Sequence, residues 1–145
     1  MYQKVLLCYD GTIEGRRALR QGAEVAIAMR SQAYLLAICR NMLAGAIPEA
    51  VTPELFTCQS DTAQALLKEG IEWLREREVV SEGSLIYGDP LVRIPEIAIQ
   101  IKADLVVVGY RYRSKLSRWW SESEEISLLH RLPCSLLVAV AAPTE

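Results

Sequence analysis

Hydrophobic and polar positions alternate along this chain in two distinct rhythms. Short, unbroken apolar runs recur at Val5-Leu-Leu-Cys-Tyr9, Ala33-Tyr-Leu-Leu-Ala-Ile38, Leu105-Val-Val-Val108 and Leu136-Leu-Val-Ala-Val140. Runs of this length, the third of them rich in β-branched residues and stopped by Gly109, read as strands buried on both faces, as in a parallel sheet. A further strand is predicted over Val79–Tyr87, although Ser81, Glu82, Gly83 and Ser84 interrupt its apolar character. Between the runs the spacing changes to three and four residues. Leu19, Gly22, Val25, Ala26 and Met29 mark a helix from Ile13 to Arg30. Leu66, Leu67, Ile71 and Leu74 mark one that starts at Pro53 and ends near Arg77, and Ile94, Ile97, Ala98 and Ile101 a third. The last helix is expected over Glu122–Arg131. Strands alternating with helices predict an α/β fold: an open, doubly wound, five-stranded parallel sheet with helices on both faces. A single domain over 1–145 follows, because no repeat, low-complexity stretch or linker divides the chain.

Two places resist the pattern. Pro95 falls inside the third helix, where its missing N–H leaves a backbone bond unmade, so the helix either begins there or tolerates a distorted first turn. The stretch 40–52, with Gly45 and Pro48, is read as a loop.

Composition removes several function classes. With 51% hydrophobic and 23% charged residues the chain is an ordinary globular protein, and its net charge of -2 gives no global pull toward nucleic acid or membrane. No apolar run approaches the roughly 18 residues of a membrane span, and the first residues lack the apolar length of a signal peptide. The expected location is the cytoplasm. Cys8, Cys39, Cys58 and Cys134 form no C-x-x-C pair, so they are read as reduced, mainly core thiols. One histidine and no Cys/His cluster argue against a metal site. His130 and Arg131 suit the negative end of the last helix.

Ligands of open parallel sheets sit beyond the carboxyl ends of the strands. There the chain places Asp10-Gly11-Thr12 after the first strand, Ile38-Cys39 at the end of the second, and Gly109 where the fourth is expected to stop. Arg111, Arg113, Lys115 and Arg118 then put four cations into eight residues, followed by Trp119-Trp120. Basic residues beside aromatics suit single-stranded nucleic acid, but Glu122, Glu124 and Glu125 follow at once and argue against it. A phospho-acceptor fold is also excluded, since Tyr9-Asp10 and Tyr87-Gly88 lack its acidic residues.

The segments KVLLCYDGTIEGRRAL, GDPLVRIPEIAIQIKADLVVVG and LLHRLPCSLLVAV, in that order and spacing, resemble the universal stress proteins over nearly the whole chain. The resemblance implies a homodimer formed through the last strand, Leu136, Leu137, Val138, Ala139 and Val140. Edge-strand physics agrees, because an apolar edge leaves unpaired backbone groups. It also implies an adenine nucleotide site, ATP or AMP with Mg, to which Asp10, Gly11, Thr12, Ile38, Cys39, Gly109, Arg111, Arg113 and Ser123 would contribute. Nucleotide-binding members carry Gly, two residues, Gly, nine residues, Gly, then Ser or Thr. Here Gly109 and Ser123 hold the outer positions, while Tyr112 and Glu122 replace the inner glycines. Tyr112 adds bulk where backbone amides must approach phosphate. A Glu122 carboxylate at roughly 4 Å and an effective dielectric of about 20 repels a phosphate charge by on the order of 4 kcal/mol. The four cations can offset part of this.

The expected activity is therefore that of a non-enzymatic, homodimeric regulatory or binding protein of the stress response, its ATP site weakened or lost. The competing reading is an ATP/AMP switch that still uses Asp10, Gly109, Ser123 and the Arg111–Arg118 loop. A third class, a weak nucleotide hydrolase, rests on fold analogy alone.

Overall fold

In a computed structural model the described residues are 2–39, 60–111 and 124–141. The chain runs β1 (Lys4–Tyr9), α1 (Ile13–Met29), β2 (Gln32–Cys39), α2 (Ser60–Glu76), β3 (Ser81–Tyr87), α3 (Pro90–Ile101), β4 (Leu105–Arg111), α4 (Glu124–Arg131) and β5 (Ser135–Ala141). The five strands are parallel in the order β3-β2-β1-β4-β5. The chain thus winds outward from β1 to β3 and then returns to the other side of β1. That reversal puts the switch point of the sheet between β1 and β4.

Both faces of the sheet are covered, which is why the central strands are apolar without a break. Val5, Leu7 and Tyr9 of β1 point into one cluster with Leu35, Leu105 and Val107, sealed by Leu19, Ala23 and Ala26 of α1 and Leu67 and Leu74 of α2. The alternate residues Leu6, Cys8, Leu36, Ile38, Val106 and Val108 meet Ile94 and Ala98 of α3 and Leu128 of α4 on the other side. Period-two alternation is present, but each face finds an apolar partner.

Helix ends follow local chemistry. Thr12 caps α1 by accepting from the Gly15 amide at 3.0 Å, and Arg30 closes it in the left-handed conformation, φ 53°. Asp89 caps α3 by accepting from the Leu91 amide at 3.0 Å, with Pro90 in the first turn and Lys102 as the left-handed closure. Pro95 lies inside α3, so the helix starts before it and tolerates it. α1 and α2 are joined by Arg16, which is buried and donates to the Leu66 carbonyl at 3.0 Å and to Glu69 at 2.7 Å. At the amino-terminal end of the sheet, the Asp104 carboxylate accepts from the amides of Gln3 (2.8 Å) and Lys4 (3.1 Å), tying the start of β1 to the start of β4.

β3 forms where a strand is expected, though from Ser81 and not Val79; its polar residues are accommodated because the strand is at an edge of the described sheet and is only partly buried. Two expectations change. Gly109 does not end β4: it pairs with Ala139, and Tyr110 and Arg111 continue the ladder opposite Val140 and Ala141. Cys39 is not a free thiol but is disulfide-bonded, whereas Cys8 and Cys134 are free. The predicted loop 40–52, the proposed helix start at Pro53 and Cys58 lie outside the described residues.

Candidate functional site

The turn after β1 is built around one carboxylate. Asp10 Oδ1 accepts from the Thr12 amide at 3.1 Å and from the Thr12 hydroxyl at 2.5 Å, and Thr12 Oγ1 in turn accepts from the Gly15 amide. Gly11 between them has φ 82°, a left-handed geometry that glycine adopts without strain. Asp10 is therefore not the helix cap itself; it orients Thr12, which is. The sequence reading missed Gly15. A side chain there would collide with Asp10 Oδ1, so Gly15 makes room for the carboxylate.

Gly109 meets the same turn from β4. A Cβ at Gly109 would stand 2.7 Å from the Gly15 carbonyl oxygen and 2.9 Å from the Leu19 amide nitrogen. The space that its missing side chain leaves is occupied by the backbone of α1. Close helix–strand packing thus explains this glycine whether or not a phosphate is bound. Gly22, two turns after Gly15 in α1, instead makes room for the side chains of Val107 and Ala139.

On the adjoining strand, Ala37 lies opposite Tyr9, so Ile38 and Cys39 project beyond β1. Both are buried, and the Cys39 carbonyl accepts from the Gly88 amide at 3.1 Å. The described contacts join Asp10 with Thr12, and Gly109 with Gly15 and Leu19 of α1, while Ile38 and Cys39 end the neighbouring strand. Arg111 is the last residue of β4, opposite Ala141. Arg113 and Ser123 lie outside the described residues, as do Tyr112, Lys115, Arg118, Trp119, Trp120 and Glu122.

Burial sets the electrostatics of the titratable groups near this turn. Burial pushes the Tyr9 phenol well above its ordinary pKa; nearby Arg16 works against that shift and Asp10 adds to it. Its hydroxyl is buried without a hydrogen-bond partner among the described residues. Burial also raises the Cys8 thiol, with Cys134 adding to the shift, and raises Cys134 itself. These groups stay protonated at neutral pH, and neither free thiol is prepared as a nucleophile. No group of three or more His, Cys, Asp or Glu side chains suited to a metal occurs among the described residues. No described helix is long and apolar enough to cross a membrane.

A sequence profile of the universal stress protein family matches residues 1–139. The chain belongs to that family. Its fold is shared with solved members at low identity. A universal stress protein from Lactobacillus plantarum is 16% identical with a TM-score of 0.70, over 95% of this chain and 97% of that one. A member from Arabidopsis thaliana with AMP bound is 17% identical, TM-score 0.63, over 97% and 92%. One from Archaeoglobus fulgidus in complex with dAMP is 17% identical, TM-score 0.61, over 94% and 97%. A further universal stress protein, in complex with cAMP, is 21% identical, TM-score 0.64, over 97% and 98%. No curated protein matches the chain.

Proposed function

We propose that this universal stress protein acts in the cytoplasm as a homodimeric regulatory or binding protein of the stress response, by association and not by catalysis, and that its ATP site is weakened or lost. The observation that carries the reading is the contact between Gly109 and α1. In a phosphate cradle the glycines leave backbone amides open to the ligand. At Gly109 the open space is filled by the Gly15 carbonyl and Leu19, so the one glycine of the motif that sequence retains before Tyr112 has a packing explanation. Replacement of the inner glycines by Tyr112 and Glu122 acts in the same direction. Support for the dimer comes from β5, an edge of the described sheet whose Leu137 is 36% exposed. Sedimentation that finds only monomer at micromolar concentration overturns that part.

The second reading, a switch holding ATP or AMP with Mg, is favoured by one specific feature: Asp10 sits at the β1–β4 switch point, and solved relatives carry AMP, dAMP or cAMP. Calorimetric titration of nucleotide-stripped protein with ATP-Mg and with AMP separates the two. The expected result is no measurable heat at ligand concentrations well above micromolar, with the dimer intact. Micromolar binding that is lost in Asp10→Asn establishes the switch instead. Asparagine is the informative substitution because its amide oxygen still accepts from Thr12, so the turn survives while the charge is removed.

A further inference from the structure

Buried polar groups in folded proteins are almost always hydrogen-bonded. The buried serines of this chain conform. The Ser31 hydroxyl donates to the Tyr2 carbonyl at 2.6 Å, and the Ser81 hydroxyl to the Ile71 carbonyl at 3.4 Å. Tyr9 does not. Its residue is 0% exposed, yet its hydroxyl meets no donor or acceptor among the described residues. Phenylalanine would fill the same space without burying an unpaired polar atom. The hydroxyl therefore calls for an occupant.

The surroundings specify what that occupant is. Tyr9 is the last residue of β1, immediately before Asp10, and its ring belongs to the cluster on the α1 and α2 side of the sheet. Burial holds the phenol protonated, so the hydroxyl is available as a donor; of the two charges that act on it, Arg16 outweighs Asp10. The Arg16 guanidinium is buried, while its partner Glu69 is 63% exposed, so water screens the carboxylate more than the cation. Asp10 Oδ1 is already engaged by the Thr12 amide and hydroxyl, and the amino end of α1 adds positive potential. A donor in a positive field selects an anionic acceptor. The hydroxyl is also closed off from solvent, which fits a small free ion better than a group carried on a large ligand.

We propose that a small oxyanion of the phosphate class binds on the α1 and α2 side of β1, accepting a hydrogen bond from the Tyr9 hydroxyl beside the Arg16 guanidinium. None of these groups belongs to the glycine motif, so the site does not depend on whether a nucleotide binds. The simpler occupant is an ordered water. A water needs two to four polar partners and gains nothing from the net charge, and it would already satisfy Tyr9 when no ligand is present. That difference makes the two separable.

The test is calorimetric titration of the full chain with inorganic phosphate in Tris chloride, together with thermal unfolding. The wild type should bind phosphate saturably, with a Kd of roughly millimolar or tighter. Without phosphate, Tyr9→Phe should melt at or above the wild-type temperature, because its hydroxyl had no partner to lose. Its affinity for phosphate should fall at least roughly tenfold, the loss of one hydrogen bond to a charged acceptor. Asp10→Asn removes the opposing carboxylate and should tighten phosphate binding by about two- to tenfold. The proposal is overturned if phosphate does not bind, if Tyr9→Phe binds it as well as the wild type, or if Asp10→Asn weakens it. It is equally overturned if Tyr9→Phe melts below the wild type without phosphate, which would mean that a water or another part of the chain already holds the hydroxyl. AMP that binds more tightly than phosphate and is lost in Asp10→Asn would replace the free ion by the nucleotide switch.

Discussion

α1 and α4 cover opposite faces of one sheet and are held in opposite ways. α1 lies so close to β4 and β5 that side chains are excluded at Gly22 and Gly109, and its ends are closed by Thr12 and Arg30. α4 presents one buried leucine among its described side chains and borrows a hydrogen bond from a carbonyl in α3. Backbone-to-backbone contact leaves α1 no alternative position, because a packed interior deforms little. α1 thus occupies the space where a retained motif glycine would otherwise be open.

The strongest way to break this contrast is to unseat α1. Gly109→Ala forces a Cβ against the Gly15 carbonyl and Leu19, and backbone cannot swing aside as a side-chain tip can. We expect a loss of about 3 kcal/mol in urea unfolding, at the upper end of overpacking effects. Ordinary stability in this variant would mean that α1 shifts easily and that the two helices are alike. Next in size is Asp104→Ala, which leaves the amides of Gln3 and Lys4 without their carboxylate. About 2 kcal/mol should be lost. Since Asp104 joins β1 to β4 beneath both faces, exchange protection of α1 should fall along with that of the strands, and selective loss at one helix would contradict the account. The smallest effect is expected from Thr12→Ala, about 1 kcal/mol for a lost helix cap. Its fraying should remain within the first turn of α1. Fraying that spreads to Gly22 would show that the cap, and not the glycine contacts, fixes this helix.

Much of the fold was legible because it depends on local pattern. Buried strands have to be continuous apolar runs when helices cover both faces, and Val5–Tyr9 and Leu105–Val108 have that form. The helix boundary near Thr12 follows from a residue that acts within three positions of itself, whereas Asp89 and Pro90, which are turn residues by sequence, prove to open α3. The candidate site was legible only in outline. Asp10 and Thr12 could be placed at the crevice, but not their division of labour, since both are residue types that cap helices. Gly109 reads as a strand end because glycine usually marks a break; its partners are 90 and more positions away, in Gly15 and Leu19. Cys39 could not be told from a core thiol, because spacing alone does not report a disulfide.

Pro95 shows most clearly where local reading ends. The chain by itself determined that a carbonyl in the third helix would lack its amide, because proline carries no N–H in any fold. It also determined the alternation of strand and helix and the residues that turn the chain at the crevice. Only the tertiary structure decided that Arg131 would supply the missing donor and that α1 would fill the space beside Gly109. Such outcomes depend on which surfaces are brought together across 36 or 90 residues of chain, and hydrophobic burial, which assembles them, has no direction of its own.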